Sequence, residues 1–100
     1  MQFIFKKPRE NIYDLGRILG YQLIKTSSDQ EYNLIKPLGR DYPRFHLYIK
    51  ITGKNLVFNL HLDQKRPSYG RETAHSGEYE GKLVKTEKQR INIILEKIGS

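Results

Sequence analysis

Two histidines, His46 and His61, share a short region with Asp63, Arg44, Tyr48 and Lys50. Residues of these types could do three kinds of chemistry. Imidazole nitrogens and a carboxylate oxygen suit zinc or manganese. Two imidazoles beside Arg and Lys could cleave RNA by general acid–base catalysis without metal, because imidazole titrates near neutral pH. The His, Tyr and Arg side chains could instead stack on bases and contact phosphates with no reaction at all. An ordinary polar sheet face would carry the same residues.

Strand register decides what these side chains can share. In Phe45-His46-Leu47-Tyr48-Ile49-Lys50-Ile51 the odd positions are all large and apolar, and from Leu56 to Asp63 the even ones are. Thr52-Gly53-Lys54-Asn55 between them suits a tight hairpin turn with glycine at the first central position. Both apolar sets must face one core, and a two-residue turn pairs Thr52 with Asn55. Ile49 then opposes Phe58, Leu47 opposes Leu60 and Phe45 opposes Leu62. On the other face Tyr48 meets Asn59, His46 meets His61 and Arg44 meets Asp63. Directly opposed residues have Cβ atoms about 4.5–5.5 Å apart.

The remaining elements follow from periodicity. Residues 2–6 read as a first strand ended by Pro8. Residues 10–19 place Ile12, Leu15, Gly16 and Leu19 at helical spacing, widened by Ile18, with Gly20 as the left-handed terminator. Tyr21, Leu23 and Lys25 alternate with polar or outward positions, and Glu31–Lys36 reads as the hairpin partner, broken by Pro37-Leu38-Gly39. An amphipathic helix is predicted over residues 83–98, with Val84, Ile91, Leu95 and Ile98 on one stripe and Ile94 beside it. Thr86 with Gln89 fits a capping box, and Gly99 ends the helix. The order β-α-β-β-β-β-α predicts an α+β fold: an antiparallel four- to five-stranded sheet with two helices packed on one face. Its helix–strands–helix centre resembles the double-stranded-RNA-binding fold in outline, with no sequence motif of that fold present.

From Gln64 to Gly81 no regular pattern is visible. A loop of that length is usually functional or disordered. It opens with Lys65, Arg66, Tyr69 and Arg71, closes with His75, Glu78, Tyr79 and Glu80, and can fold back from Asp63 over the polar face. His46, His61, Asp63 and His75 are the candidate metal ligands. Asp63-Gln64-Lys65 and Glu80-Gly81-Lys82 both match acid-x-Lys, the tail of one metal-nuclease motif, but Asp41 and Asp29, the available upstream acids, fall in loops. There is no glycine-rich phosphate loop opening a helix and no nucleophile elbow.

Charge is concentrated in the middle of the chain. The 100 residues carry 18 Lys+Arg and 11 Asp+Glu, a net +7. Residues 36–71 hold eight basic groups against Asp41 and Asp63, a local +6, whereas residues 72–100 balance to zero. Such a patch attracts polyanions, or simply keeps a surface solvated. The absence of cysteine excludes disulfides, thiolate zinc sites, iron–sulfur clusters and a cysteine nucleophile. No apolar run approaches the ~18 residues that span a bilayer, and the opening residues lack the order of a secretory signal. A cytoplasmic single domain is expected, with no cofactor implied and no membrane partner.

The blocks Tyr42–Tyr48, Asn59–Pro67 and His75–Gly81 are similar to small basic proteins encoded by candidate-phyla bacteria with reduced genomes. The resemblance covers most of the chain and implies a bacterial cytoplasmic setting. It brings no activity and no functional residue with it.

These readings converge on a small, basic, non-catalytic nucleic-acid-binding protein. Lys36, Arg40, Arg44, Lys50, Lys65, Arg66 and Arg71 would contact phosphates of DNA or RNA, with Tyr48 and Tyr69 free to stack. Two alternatives stand beside it: a module that docks a protein partner or a second copy, and a His/Asp nuclease.

Overall fold

A computed structural model describes residues 1–28, 30–64 and 76–99. Five strands, β1 (Gln2–Lys6), β2 (Gln22–Ser28), β3 (Glu31–Pro37), β4 (Arg44–Thr52) and β5 (Asn55–Asp63), join two helices, α1 (Ile12–Leu19) and α2 (Ser76–Ile98). The sheet is wholly antiparallel in the order β1-β5-β4-β3-β2. β2 to β5 form a meander, and β1 returns to cover the free edge of β5. The predicted α+β architecture is the one observed.

The β4–β5 hairpin has the expected register throughout, from Arg44 opposite Asp63 to Thr52 opposite Asn55. Gly53 takes φ +63°, the left-handed conformation that the turn demands and that glycine adopts without strain. Alternation then sends Phe45, Leu47 and Ile49 of β4 and Leu56, Phe58 and Leu60 of β5 to one side, all buried. Leu34 of β3, Phe3 of β1, Ile12, Leu15 and Leu19 of α1, and Val84, Ile91 and Leu95 of α2 complete that core. The Phe3 and Phe58 rings stack at 5.0 Å, which binds β1 to β5 through side chains as well as backbone.

Helix ends depart from expectation in instructive ways. α1 begins two residues later than its periodicity suggests, because the Asn11 side chain caps it by accepting the Asp14 N–H at 2.8 Å. It ends on Gly20 at φ +90°, whose N–H returns to the Arg17 carbonyl, as expected. α2 begins at Ser76, seven residues before the predicted start. Thr86 and Gln89 therefore lie in its interior and form no capping box, and residues 76–81 of the supposed loop are helical. The short apolar stripe could not reveal this first part of the helix, which carries Ser, Gly and acids. In β2, register shifts between Leu23 and Lys25 and between Thr26 and Ser28 interrupt the simple alternation expected, and Lys25 pairs with Asn33.

One buried polar cluster fixes α2 against the rest. Tyr21, 4% exposed, donates its hydroxyl to Glu87 Oε2 at 2.6 Å, and Glu87 is itself only 5% exposed. Arg90 completes the cluster from one turn along, donating Nε to Glu87 Oε1 at 2.9 Å and Nη2 to Oε2 at 2.7 Å. The same Nη2 donates to the Leu19 carbonyl at 2.6 Å, so α2 caps the last turn of α1. Burial pushes the Glu87 carboxyl upward, but hydrogen bonds from Arg90 and Tyr21, with the charges of Arg90 and Lys36, outweigh it and hold the group below its usual 4.5.

This cluster makes a stability prediction. Arg90→Met should lower the unfolding free energy by ~2–3 kcal/mol, short of the ~3–5 for a fully buried pair because Arg90 is partly solvated. A depressed carboxyl contributes stability above its ordinary value and loses it as pH falls through the lowered one. Urea midpoints measured across that acid range should fall steeply in the native chain and more gently in Glu87→Gln.

Candidate nucleic-acid interface

The helices occupy one side of the sheet and leave the other open among the described residues. Its surface is built in rows, because the antiparallel registers align outward positions across neighbouring strands. Arg44 and Asp63 form one row, with Pro37 beside them. The next holds Ile35, His46 and His61. The central row runs Asn33, Tyr48, Asn59, Gln2 across β3, β4, β5 and β1. Below it lie Glu31, Lys50, Val57 and Ile4.

The three aromatic rings interlock. Tyr48 stacks on His46 with centroids 4.2 Å apart and planes 19° apart, and meets His61 edge-to-face at 5.7 Å. Tyr48 remains 42% exposed. The ring lines a cleft of about 380 Å³ together with Gln2, Asn33, Asn59, His61, Lys50 and neighbouring residues.

His46 is fully engaged. Its Nδ1 lies 3.0 Å from Asp63 Oδ2 and its Nε2 3.1 Å from Asn33 Oδ1. Either orientation of the Asn33 amide leaves Nε2 bonded. Both His46 nitrogens are thus hydrogen-bonded on the sheet face, and the predicted register that opposes it to His61 is the one observed. Among the described residues no three His, Cys, Asp or Glu side chains are placed to hold a metal ion. His75 lies outside the described residues.

His61 is the accessible imidazole. Burial lowers its pKa from the ordinary 6.5, the amino-terminal ammonium and His46 lower it further, and Asp63 opposes them. That ammonium sits nearby because Met1 N donates to the Leu60 carbonyl at 2.9 Å.

The predicted cations fall in different places. Arg44 and Lys50 are on the open face with Tyr48. Arg44 Nε lies 3.4 Å from Asp63 Oδ2, and its guanidinium lies over the Tyr42 ring at 4.8 Å. Lys50 Nζ lies 3.7 Å from Glu31 Oε2, both side chains being exposed. An exposed pair of this kind contributes ~0–1 kcal/mol, so Lys50 can exchange Glu31 for a phosphate with little loss. Arg40 is exposed in the connection between β3 and β4. Lys36 does not belong with them. It pairs with Phe45 on the helix side, in phase with Tyr32 and Leu34, and its side chain passes Gly20 towards Glu87 and Arg90. Lys65, Arg66, Tyr69 and Arg71 lie outside the described residues. Glu80-Gly81-Lys82 falls within α2 and not at a strand end, which removes one acid-x-Lys match.

Sequence reasoning missed Asn33, Gln2 and Glu31. Their place on the face comes from the β3–β4 and β1–β5 registers, which no tight turn fixes, whereas Gly53 fixes the β4–β5 register. Comparison with protein-family models, curated proteins and solved structures returns no match, so the function has to be argued from the geometry of this chain.

The His61 environment is directly measurable. Its ring-proton shifts, followed by NMR against pH, should titrate with a midpoint below 6.5; a midpoint at or above 6.5 contradicts the placement of the ring beside the ammonium and His46.

Proposed function

We propose that this chain binds nucleic acid on the open face of its sheet. The observation that carries the reading is Tyr48, an exposed aromatic at the centre of that face, set between the cations Arg44 and Lys50 in a chain of net charge +7. Nucleic-acid-binding sheets use exposed aromatics as platforms on which bases stack. Cations at both ends of β4 supply the phosphate attraction. The proposed role is one of binding, with His46 held on the face by hydrogen bonds to Asp63 and Asn33. Among the described residues no helix is long and apolar enough to cross a membrane.

Fluorescence anisotropy with labelled DNA and RNA provides the test. Affinity should fall steeply with ionic strength as bound phosphates displace counterions. Lys50→Glu should weaken binding several-fold and reduce the salt slope by about 1. No binding to any DNA or RNA at low salt contradicts the proposal.

A further inference from the structure

We infer that the open face selects single strands and stacks an unpaired base on Tyr48, an inference that rests on the nucleic-acid reading above. The central row supplies the argument. Asn33, Tyr48, Asn59 and Gln2 stand directly opposite one another across four adjacent strands. At about 4.8 Å between strands the row spans ~14 Å. It consists of one aromatic ring and three carboxamides, a group that carries both a donor and an acceptor, though Asn33 spends one of its two on His46. Gln2 and Asn59 make no side-chain hydrogen bond within the described residues, so their amides stand open. The Asn33 amide is held by His46 Nε2 at 3.1 Å, which leaves the other end of the amide for a base.

Tyr48 can accept a base on one side only. His46 covers one face of the ring at 4.2 Å, His61 meets the ring at 5.7 Å with planes 87° apart, and the ring lines the 380 Å³ cleft together with Asn33, Asn59, Gln2 and His61. His46 is in turn locked by Asp63 and Asn33, so the Tyr48 ring is braced upright before any ligand arrives. A braced ring loses little side-chain entropy on binding. In a duplex every base face is already covered by its neighbours, and a ring standing up from a sheet cannot enter that stack. An unpaired base can lie against it and turn its edge to the carboxamides.

A strand of several nucleotides fits better than a free nucleotide. Arg44 and Lys50 lie six residues apart on β4, ~20 Å along the strand at about 3.3 Å per residue. They flank Tyr48 at opposite ends of the face, a separation that one nucleotide's phosphate cannot bridge.

The test compares labelled decauridylate with a ten-base-pair RNA duplex, at equal low salt, on the full chain and on Tyr48→Ala and Tyr48→Phe. The single strand should bind at least about tenfold more tightly than the duplex. Tyr48→Ala should weaken single-strand binding by about five- to a hundredfold, the range that loss of one base–aromatic stack produces. It should leave duplex binding unchanged, and Tyr48→Phe should stay within about twofold. Because Tyr48 lies outside the core, Tyr48→Ala should fold, as circular dichroism will report. Independently of any variant, the Tyr48 ring protons of the native chain should shift upfield when decauridylate is added. Equal affinity for duplex and single strand, or single-strand binding indifferent to Tyr48→Ala with unmoved ring protons, overturns the inference while polyanion binding stands. Absence of binding to either nucleic acid overturns both.

Discussion

The alternation of side chains along β4 and β5, held in phase by nine consecutive cross-strand pairs, is the constraint on which the rest depends. A slip of β4 by one residue would send Phe45, Leu47 and Ile49 into solvent and bring His46, Tyr48 and Lys50 into the core. Burial of the apolar set makes that slip prohibitive, at ~1.5–3 kcal/mol for each large side chain. The same free energy that closes the core therefore assembles the open face. His46 meets His61 and Tyr48 meets Asn59 because the core requires it, and β3 and β1 extend each row by docking on either side.

The two faces are finished by different means. On the helix side, Glu87 is buried but satisfied by Tyr21 and Arg90, and Arg90 reaches the carbonyl of Leu19. Such a cluster adds little net stability over apolar packing, but it admits few other placements of α2 relative to α1. On the open side the polar groups remain near solvent and hold one another: Asp63 positions both Arg44 and His46, and His46 braces Tyr48. The imidazole thereby acts as a structural wedge.

How much was legible in the sequence follows from how local each signal is. The order of elements along the chain, the left-handed Gly20 and the whole β4–β5 register were readable, since period-two hydrophobicity and a glycine turn lie within 20 residues. The face assignment of Arg44, Tyr48 and Lys50 came with them. Lys36 was misplaced because a lysine at the end of an apolar strand reads as surface, whereas its aliphatic stem runs beside Gly20 to a buried carboxylate. The first turns of α2 were hidden because they lack an apolar stripe. Asn33, Glu31 and Gln2 could not be placed at all, since partners distant in sequence depend on the packed sheet and not on a turn. Glu87 and Arg90 look like an ordinary surface pair at i, i+3, and only their proximity to Tyr21 makes them a buried cluster.

The central claim is that the open sheet face is the binding surface, and amide chemical-shift mapping of the ¹⁵N-labelled chain on addition of decauridylate tests it most directly. The account predicts that shifts concentrate at Gln2, Asn33, Tyr48, Lys50, Asn59 and His61, while α1 and the outer side of α2 stay unmoved. Shifts confined to the helix side, around Arg17 of α1 and Lys85 and Lys97 of α2, with the central row unaffected, would contradict it.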